Sequence, residues 1–400
     1  MLRRHFLSAS AGVLASSLLP RSQAADDASS KRLRVGVIGH SGRGNYGHGI
    51  DTLWLKLPQT EIVAVADPDP AGLASAQKRL TGSRPFADYT QMLDELRPDI
   101  VAVCPRHADQ HHAMIVAALN HGARGIYVEK PFVRTPAEAD DVIRLCKQNS
   151  VSLAIAHRNR YHPALPVAAE LLASGELGVP LEIRARGKED QRGGGLDLWV
   201  LGSHVLNLAA FFAGRPIACS ATAFEKGRWA VSADVHEADE GLGLIVGDEI
   251  HARFEMESGI PVFFGSKKNA GDKTVNFGLQ IVCTGGILDL RIDTEPLVQV
   301  LRGNPFKPRS DPRAWIPVSS AGLGKAEPIA TIREQVAGHL RPAQDLIQAM
   351  ETGKPTLCGP EDGLVTVEMI QAIFASHRMD GARIPLPLTN RGNALAISAG

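Results

Sequence analysis

Apolar residues in the first part of the chain form short continuous runs that alternate with stretches of helical spacing. Continuous runs are typical of buried strands, whereas apolar residues three or four positions apart are typical of helices. Strands are therefore predicted at 33–39, 61–66, 99–104, 125–128 and 151–156, and helices at 70–80, 88–96, 109–120 and 135–149. The alternation predicts a doubly wound parallel α/β sheet with a ligand crevice at the carboxyl ends of its strands.

The second part of the chain has a different pattern. Residues 217–300 are rich in strand-forming residues, and turns at 257–259 and 284–286 fit hairpins. Helices are predicted at 163–174, 203–213, 332–351 and 360–378, a strand at 181–186, and a strand or loop at 384–388. This part is therefore predicted to be an α+β domain with an open, mainly antiparallel sheet.

A glycine-rich turn follows the first predicted strand. It contains Gly39, Gly42 and Gly44, is followed by a helix-length segment, and precedes a second strand that ends on Asp67. Strand, glycine turn, helix, strand and acid form the layout of a dinucleotide-binding βαβ unit. Glycines let the backbone approach a pyrophosphate, and free N–H groups at a helix start favour its charge. Asp67 is placed to accept hydrogen bonds from the adenosine ribose.

The turn departs from the usual motif at Ser41, which stands where the middle glycine is expected. Either Gly42 shifts the turn by one residue, or the Ser41 hydroxyl bonds the phosphate directly. The other interpretation is a tight turn that binds nothing. Asp67 favours NAD, since a carboxylate repels a 2′-phosphate. Arg43 weakens that preference, so NADP stays an alternative.

Composition and charge limit the kinds of function that the chain can have. The 400-residue chain is 44% hydrophobic, which fits two globular domains with cores, and its 43 basic and 43 acidic residues exclude a nucleic-acid-binding surface built on excess positive charge. The 5 cysteines are widely spaced without a C-x-x-C pair, so they are interpreted as buried thiols. We therefore expect neither a disulfide framework nor a metal site.

Residues 1–24 are predicted to be a twin-arginine export signal. Arg3 and Arg4 precede a mildly apolar run at 7–19, and a small-x-small cleavage site ends at Ala24. The run is too short to span a membrane, and the alternative is an uncleaved basic tail. An exported protein of this kind crosses the membrane folded, which suits one that takes up a nucleotide before leaving the cytoplasm. We expect a periplasmic or other extracytoplasmic location, without stable membrane insertion after cleavage.

Three motifs farther along point to one family. Glu129-Lys130-Pro131 follows the fourth predicted strand. A Gly193–Gly195 run leads to Gly202-Ser203-His204, and Leu386-Pro387-Leu388 lies near the end of the chain. With these motifs the chain resembles the glucose–fructose oxidoreductase / inositol dehydrogenase (Gfo/Idh/MocA) family. The resemblance implies a Rossmann domain at 31–157, a substrate and oligomerisation domain at 158–400, and NAD(P)-dependent chemistry on sugars or cyclitols.

The resemblance also assigns residues. Lys130 matches the lysine that bonds the reacting hydroxyl or carbonyl oxygen, and Glu129 lies beside it at the cofactor. His204 matches the catalytic histidine, which takes the hydroxyl proton during alcohol oxidation and also contacts the substrate. The alternatives are an exposed lysine at a strand end and a structural histidine.

The catalytic pattern departs from the family at one position. The aspartate that usually lies four residues before the histidine is Val200 here. Asp197, seven residues before His204, is about two helical turns away and shares its face if the segment is helical throughout. Asp197 is therefore the candidate carboxylate partner.

Other residues are candidates by their place in the family pattern. Pro105 and His111 lie where the chain runs alongside the nicotinamide, with His107 as a weaker candidate. Arg160 and Tyr161 are candidate ligands for sugar hydroxyls, and the alternative is an interdomain salt-bridge cluster.

Together these features predict an exported oxidoreductase that transfers hydride between a sugar, polyol or sugar-derived substrate and a tightly bound nicotinamide cofactor. Two alternatives remain open: an NAD-dependent glycoside hydrolase that oxidises a sugar transiently, and a non-catalytic nucleotide- or sugar-binding relative. A homodimer or homotetramer is expected from the family.

Overall fold

The first half of the chain forms a six-stranded parallel sheet in the computed structural model, which describes residues 32–271, 277–307 and 311–396. The strand order is β3-β2-β1-β4-β5-β6. The strands are β1 Leu33–Ile38, β2 Thr60–Ala66, β3 Arg84–Phe86, β4 Ile100–Val103, β5 Gly125–Val128 and β6 Ser152–Ile155. The order reverses between β1 and β4, and a doubly wound sheet opens its ligand crevice at such a point. The predicted parallel α/β architecture is confirmed.

Four helices connect these strands close to the predicted positions. They are α1 Pro70–Arg79, α2 Tyr89–Leu96, α3 His111–Asn120 and α4 Pro136–Asn149. The side chains of Asp69, Asp88 and Thr135 each accept a hydrogen bond from a backbone N–H of the first turn. Such N-caps satisfy donors that have no partner within the helix, which fixes where each helix begins.

The helix expected after the glycine-rich turn is not present. Residues 40–52 form a series of turns, and only Leu53–Lys56 is helical, as one turn of 3₁₀ helix. Gly42, Gly44, Asn45, Gly47 and Gly49 all have positive φ angles between 55° and 87°. Right-handed helix requires negative φ, so these left-handed residues interrupt it. The expected helix start, with its free N–H groups, is therefore missing from this structure.

A helix from the far end of the chain helps to cover the same face of the sheet. The helix Leu340–Thr352 contributes Ala343, Leu346 and Ile347 to a core that also contains Tyr46 and Trp54. A parallel sheet must be covered on both faces, because its strands carry apolar residues on both sides. The first domain therefore takes part of its core from residues far beyond its last strand.

The second half folds around an eleven-stranded sheet of mainly antiparallel strands, as predicted. Strand β7 (Pro180–Arg186) pairs parallel with β13 (Val262–Lys267), while the other described neighbours in this sheet are antiparallel. Its longer strands are β7 Pro180–Arg186, β8 Pro216–Glu225, β12 Glu249–Met256, β13 Val262–Lys267, β14 Gly278–Cys283, β15 Gly286–Arg291, β16 Val298–Arg302 and β17 Trp315–Ser319. The short strands are β9 Arg228–Trp229, β10 His236–Glu237, β11 Leu244–Ile245, β18 Gly322–Leu323 and β19 Ile384–Pro385, of which β10 and β11 pair only with each other.

The helices of the second half differ from the prediction at two places. The helix expected at 332–351 is divided into Ile332–Ala337 and Leu340–Thr352, because His339 has a left-handed backbone with φ 60°. The helical stretch Gly194–Ala213 starts earlier than expected and contains a π-helical turn, Leu198–Gly202. It is apolar because most of it is buried in the core. Two further helices, Ala164–Ala173 and Pro360–Arg378, lie where they were predicted.

Candidate active site

The glycine-rich turn lies at the carboxyl end of β1 and is packed closely against its neighbours. The ring of Tyr46 covers Gly39, where an added Cβ would lie 2.2 Å from a ring carbon. At Gly44, an added Cβ would lie 2.3 Å from the backbone nitrogen of Arg106, in the loop after β4. Gly42 has open space above it. Gly39 is thus packed against a side chain and Gly44 against backbone, whatever the turn binds.

Asp67, at the end of β2, is fully buried and bonded to the turn. Its carboxylate accepts hydrogen bonds from the backbone N–H of Ser41 (3.1 Å), from the Ser41 hydroxyl (2.8 Å) and from the backbone N–H of Asp69 (3.0 Å). Ser41 therefore bonds the acid rather than standing free for a phosphate. In this conformation Asp67 presents no surface to a ribose.

The turn is also joined to the loop after β4. Arg43 forms an ion pair with Asp109, and the ring Nδ1 of His40 lies 2.6 Å from Oε1 of Gln110. Arg43 is therefore held toward the loop after β4 by this ion pair. The structure consequently offers no support for Arg43 as a ligand of a 2′-phosphate.

His111 was expected beside the nicotinamide, and the structure corrects this. The residue is fully buried; its Nε2 lies 2.6 Å from the carbonyl oxygen of Pro105 and its Nδ1 lies 2.9 Å from that of Pro131. It therefore ties the loop after β4 to the loop after β5. Pro105 takes part through that carbonyl. His107 is the more accessible of the two histidines, and partial burial lowers its pKa.

Glu129 follows β5 and is almost fully buried, with both carboxylate oxygens engaged. Oε1 lies 2.6 Å from Nδ1 of His48, and Oε2 accepts a hydrogen bond of 2.6 Å from the backbone N–H of Lys130. Burial alone would raise the pKa of Glu129, but the His48 hydrogen bond and the Lys130 charge lower it to about 2. Glu129 is therefore a carboxylate anion that organises the loop.

Lys130 is buried at the entrance of the crevice, 7% exposed. Its Nζ donates a hydrogen bond of 2.7 Å to the carbonyl oxygen of Val200. Val200 lies within the π-helical turn Leu198–Gly202, and π turns open the regular helical hydrogen-bond ladder. Burial lowers the pKa of Lys130, and the neighbouring Glu129 opposes that change. Val200 stands where an aspartate is usual in the family pattern. It contacts Lys130 through its backbone carbonyl.

His204 lies beside a second histidine rather than beside a carboxylate. The Nδ1 atoms of His204 and His157 are 3.5 Å apart, and their rings meet edge to face. Nε2 of His204 has no hydrogen-bond partner in the part of the chain that the structure describes. Burial and the Lys130 charge lower the pKa of His204 well below its usual value, and they lower that of His157 to about 3. Both rings are therefore neutral near pH 7.

Asp197 is not the partner of His204, contrary to expectation. Its Oδ2 accepts hydrogen bonds from the Ser266 hydroxyl (2.6 Å) and from the backbone N–H of Glu189 (3.1 Å). The π turn Leu198–Gly202 between Asp197 and His204 has more residues per turn than an α-helix, so seven residues no longer return to the same face. Asp197 instead holds the loop after β7.

Arg160 and Tyr161 also differ from the expectation that they bind substrate. The Arg160 guanidinium lies 4.2 Å from the ring centre of Phe211 and 3.4 Å from Asp362, and the Tyr161 hydroxyl donates to the backbone oxygen of Cys358 at 3.5 Å. Tyr161 is 4% exposed. Both residues therefore have partners within the second half of the chain, and the Arg160 ion pair does not cross between the two predicted domains.

Comparison with known proteins gives the first domain its family. A model of an oxidoreductase family with an NAD-binding Rossmann fold, GFO_IDH_MocA, matches residues 33–157. Residues 33–157 thus form a Gfo/Idh/MocA-like domain. The match runs from β1 to the residue after β6 that contacts His204, so this Gfo/Idh/MocA domain includes the glycine-rich turn, Glu129 and Lys130.

Two of the relatives that match this domain are sugar dehydrogenases by name. D-apiose dehydrogenase of Paraburkholderia graminis is 28% identical over 127 residues, which are 32% of this chain and 33% of that protein. Levoglucosan dehydrogenase of Pseudarthrobacter phenanthrenivorans is 28% identical over 134 residues, 34% of this chain and 33% of that protein. The matched segment thus spans about a third of these relatives' length.

A solved structure extends the likeness in fold to both halves of the chain. A levoglucosan dehydrogenase in complex with NADH and L-sorbose superposes with a TM-score of 0.70 at 18% identity, over 90% of this chain and 100% of that chain. The second half therefore has the fold of that enzyme's second half as well.

The residues of the Gfo/Idh/MocA domain fit an NAD molecule, with one condition. The glycine-rich turn, Asp67 and Lys130 lie at the ends of β1, β2 and β5, around the point where the strand order reverses. The open space over Gly42 admits a phosphate group close to the backbone. The condition concerns the ribose, which reaches Asp67 only after Ser41 has moved, because both the hydroxyl and the backbone N–H of Ser41 bond the buried carboxylate.

Several groups around the crevice were not singled out as site residues in the sequence. His48 bonds Glu129, and His157 contacts His204, although neither has a motif of its own. The carbonyl of Val200 became available through a π turn, which no spacing rule indicated. The sequence did give an indication for His157, because this residue directly follows a predicted strand and so lies at the strand end that borders the crevice.

Proposed function

We propose that this protein is an NAD-dependent dehydrogenase that oxidises a hydroxyl group of a sugar or polyol. The observation that carries the proposal is the buried ammonium of Lys130 at the crevice, 2.7 Å from the Val200 carbonyl oxygen. Burying a positive charge costs free energy, so a buried ammonium is expected to have a function. Stabilising the negative charge of an alkoxide is such a function. The D-apiose and levoglucosan dehydrogenases among the relatives support the substrate class.

Each residue has a role in this proposal. The turn from Gly39 to Gly44, together with Asp67, would hold the dinucleotide, which supplies the hydride acceptor when bound. Lys130 stabilises negative charge on the substrate oxygen. His204 is neutral near pH 7 and accepts the hydroxyl proton at Nε2, for which the described residues provide no other partner.

The test begins with protein purified without added nucleotide. After denaturation we expect released NAD(H) at close to one molecule per chain, identified by absorbance and mass. The native protein is then assayed for NADH formation with a panel containing D-apiose, levoglucosan, myo-inositol and D-glucose. A protein that carries no dinucleotide and binds neither NAD nor NADP would refute the proposal, and release of free sugar from a glycoside without net NADH would indicate the hydrolase alternative.

We also propose that the protein is exported with its cofactor bound. The predicted signal at 1–24 lies outside the described residues, so the proposal rests on its sequence pattern alone. Since no nicotinamide pool exists outside the cytoplasm, two substrates would reduce and reoxidise the same bound cofactor. Cell fractionation of tagged full-length protein and of an Arg3→Lys/Arg4→Lys variant tests the location.

We further propose that the second domain forms a homodimer or homotetramer through the open face of its large sheet. A shallow cavity of about 590 Å³ crosses this face and is lined by residues including Arg184, Phe263 and Phe264. Phe263 is 38% exposed, and it pairs with the exposed Arg184 of β7, so the two side chains lie on the same face of the sheet. Light scattering on the purified protein measures the assembly directly, and a monomeric mass would refute the proposal.

A further inference from the structure

The segment between β8 and β12 leaves the large sheet and reaches the first domain. Its 3₁₀ turn Asp239–Gly241 contacts the turn Ala108–Gln110 that follows β4. An added Cβ on Gly241 would lie 2.4 Å from Oδ1 of Asp109, so the two turns are in close contact here. Asp109 in turn pairs with Arg43 of the glycine-rich turn. The tip of this segment is therefore seated at the crevice.

Glu240 occupies the centre of that tip. The residue is half-buried and has a left-handed backbone, φ 61° and ψ 20°, which a glutamate adopts only at some cost. Its carboxylate forms no hydrogen bond or ion pair with any residue in the described ranges. An unpartnered, half-buried carboxylate held in this conformation indicates a group whose partner is not part of the chain.

Three basic groups from different elements lie within the electrostatic reach of Glu240. Burial lowers the pKa of His107 in the loop after β4 and of Lys130 after β5, and the Glu240 charge opposes both changes. The same charge adds to the raised pKa of Arg192 in the loop after β7, for which the Asp190 hydrogen bond is the main cause. The Glu240 turn contacts the loop after β4, which is the first of these loops, so the carboxylate lies within electrostatic reach of Lys130.

The neighbouring carboxylates already have partners within the chain. Glu129 is bonded to His48, Asp197 to Ser266, and Asp190 forms an ion pair with Arg192. Glu240 differs from all three, because it combines partial burial with a free carboxylate.

We propose that Glu240 is the substrate-binding carboxylate of this crevice, where it accepts hydrogen bonds from hydroxyl groups of the polyol in place of a side chain at position 200. This inference rests on the proposed dehydrogenase function. A carboxylate accepts two such bonds from neighbouring hydroxyls, whereas it repels the carboxylate of a sugar acid. Glu240 therefore selects neutral sugars and polyols and orients them toward Lys130.

The first test asks where Glu240 lies and needs no substrate. The pKa of His107 is measured by NMR in protein with labelled histidine, in the wild type and in Glu240→Gln. Burial, Arg43 and Arg106 lower this pKa, while Glu240 and Asp109 raise it. Removing the Glu240 charge should therefore lower the pKa of His107. Glu237→Gln, an exposed residue of the same segment, is the control and should leave it unchanged. An unchanged pKa in Glu240→Gln would overturn the proposal.

The second test asks what Glu240 binds. With the polyol of the panel that the wild type oxidises best, Glu240→Gln should raise KM by about 10-fold or more, the usual effect of weakening hydrogen bonds to a charged group. The dissociation constant of NAD should stay the same, and Glu240→Asp should recover part of the loss. An unchanged KM would overturn the substrate-binding role.

The outcome also separates this inference from the proposed function. If the wild type oxidises no member of the panel, the dehydrogenase proposal fails. Glu240 is then judged by saturation-transfer NMR with myo-inositol in the presence of NADH. A signal that is lost in Glu240→Gln and kept in Glu237→Gln supports the binding role, and any other result overturns it.

Discussion

Replacing Lys130 by methionine should lower the rate of polyol oxidation by about 100-fold or more, because the transition state loses the ammonium that stabilises its developing negative charge. Methionine keeps most of the buried volume of the lysine stem. The Val200 carbonyl loses its 2.7 Å hydrogen bond, so the free energy of unfolding should also fall, by about 1–3 kcal/mol. Steady-state NADH formation measures the first effect and urea unfolding the second.

The control for this substitution is Lys147→Met, which removes an exposed lysine whose side chain is 69% accessible. It should change neither the rate nor the free energy of unfolding by a measurable amount. Affinity for NAD, measured calorimetrically, separates a catalytic effect from a lost cofactor. Lys130→Met that retains more than about a tenth of wild-type turnover would show that the ammonium does not stabilise the transition state.

Acid should destabilise the protein strongly through the buried histidine pair. The pKa of His157 is about 3 in the folded protein and near 6.5 when the chain is unfolded. Between these values the unfolded state binds the extra proton, so the free energy of unfolding falls as pH falls. His157 alone should contribute a loss of about 3 kcal/mol between pH 7 and pH 4. His204 acts in the same direction, because its pKa is lowered too.

The measurement is urea unfolding at several pH values, in the wild type and in two variants. His157→Gln should lose less stability than the wild type on acidification, because its side chain cannot titrate. His236→Gln, which changes an exposed histidine, should follow the wild type. The change with pH is compared rather than the absolute stability, since glutamine packs differently from imidazole. Equal pH dependence in all three proteins would mean that His157 is not held neutral by burial.

The regular elements were predictable because local rules and tertiary packing agree there. The apolar run at 33–39 becomes β1, and Thr135 caps α4 where the sequence placed its start. The helix predicted for the segment after Gly39 was wrong for a physical reason. The length of the segment suited a helix, but its glycines adopt left-handed conformations that no length rule represents. Tyr46 and Trp54 still keep the segment on the sheet.

In the candidate site, too, some residues were predictable from the sequence and others were not. The structure places Lys130 and His204 at one crevice, because each follows an element whose position the pattern defined. Asp197, His111 and Arg160 were plausible by position, yet their polar atoms are bonded within the core. Which partner a polar side chain meets depends on residues distant in sequence. Glu240 had no motif, since it reaches the crevice on a segment from the second domain.

The helix Leu340–Thr352 has a consequence for how the protein is made. It packs on the first sheet, where the Met350 side chain lies directly against Gly125 in β5. A ribosome adding about 5–20 residues per second delivers this helix roughly 10–40 s after the sheet strands have emerged. During that time the first domain exposes the apolar surface that the helix later covers. The nascent chain is thus expected to depend on chaperones, and it acquires full affinity for a nucleotide only once synthesis is nearly complete.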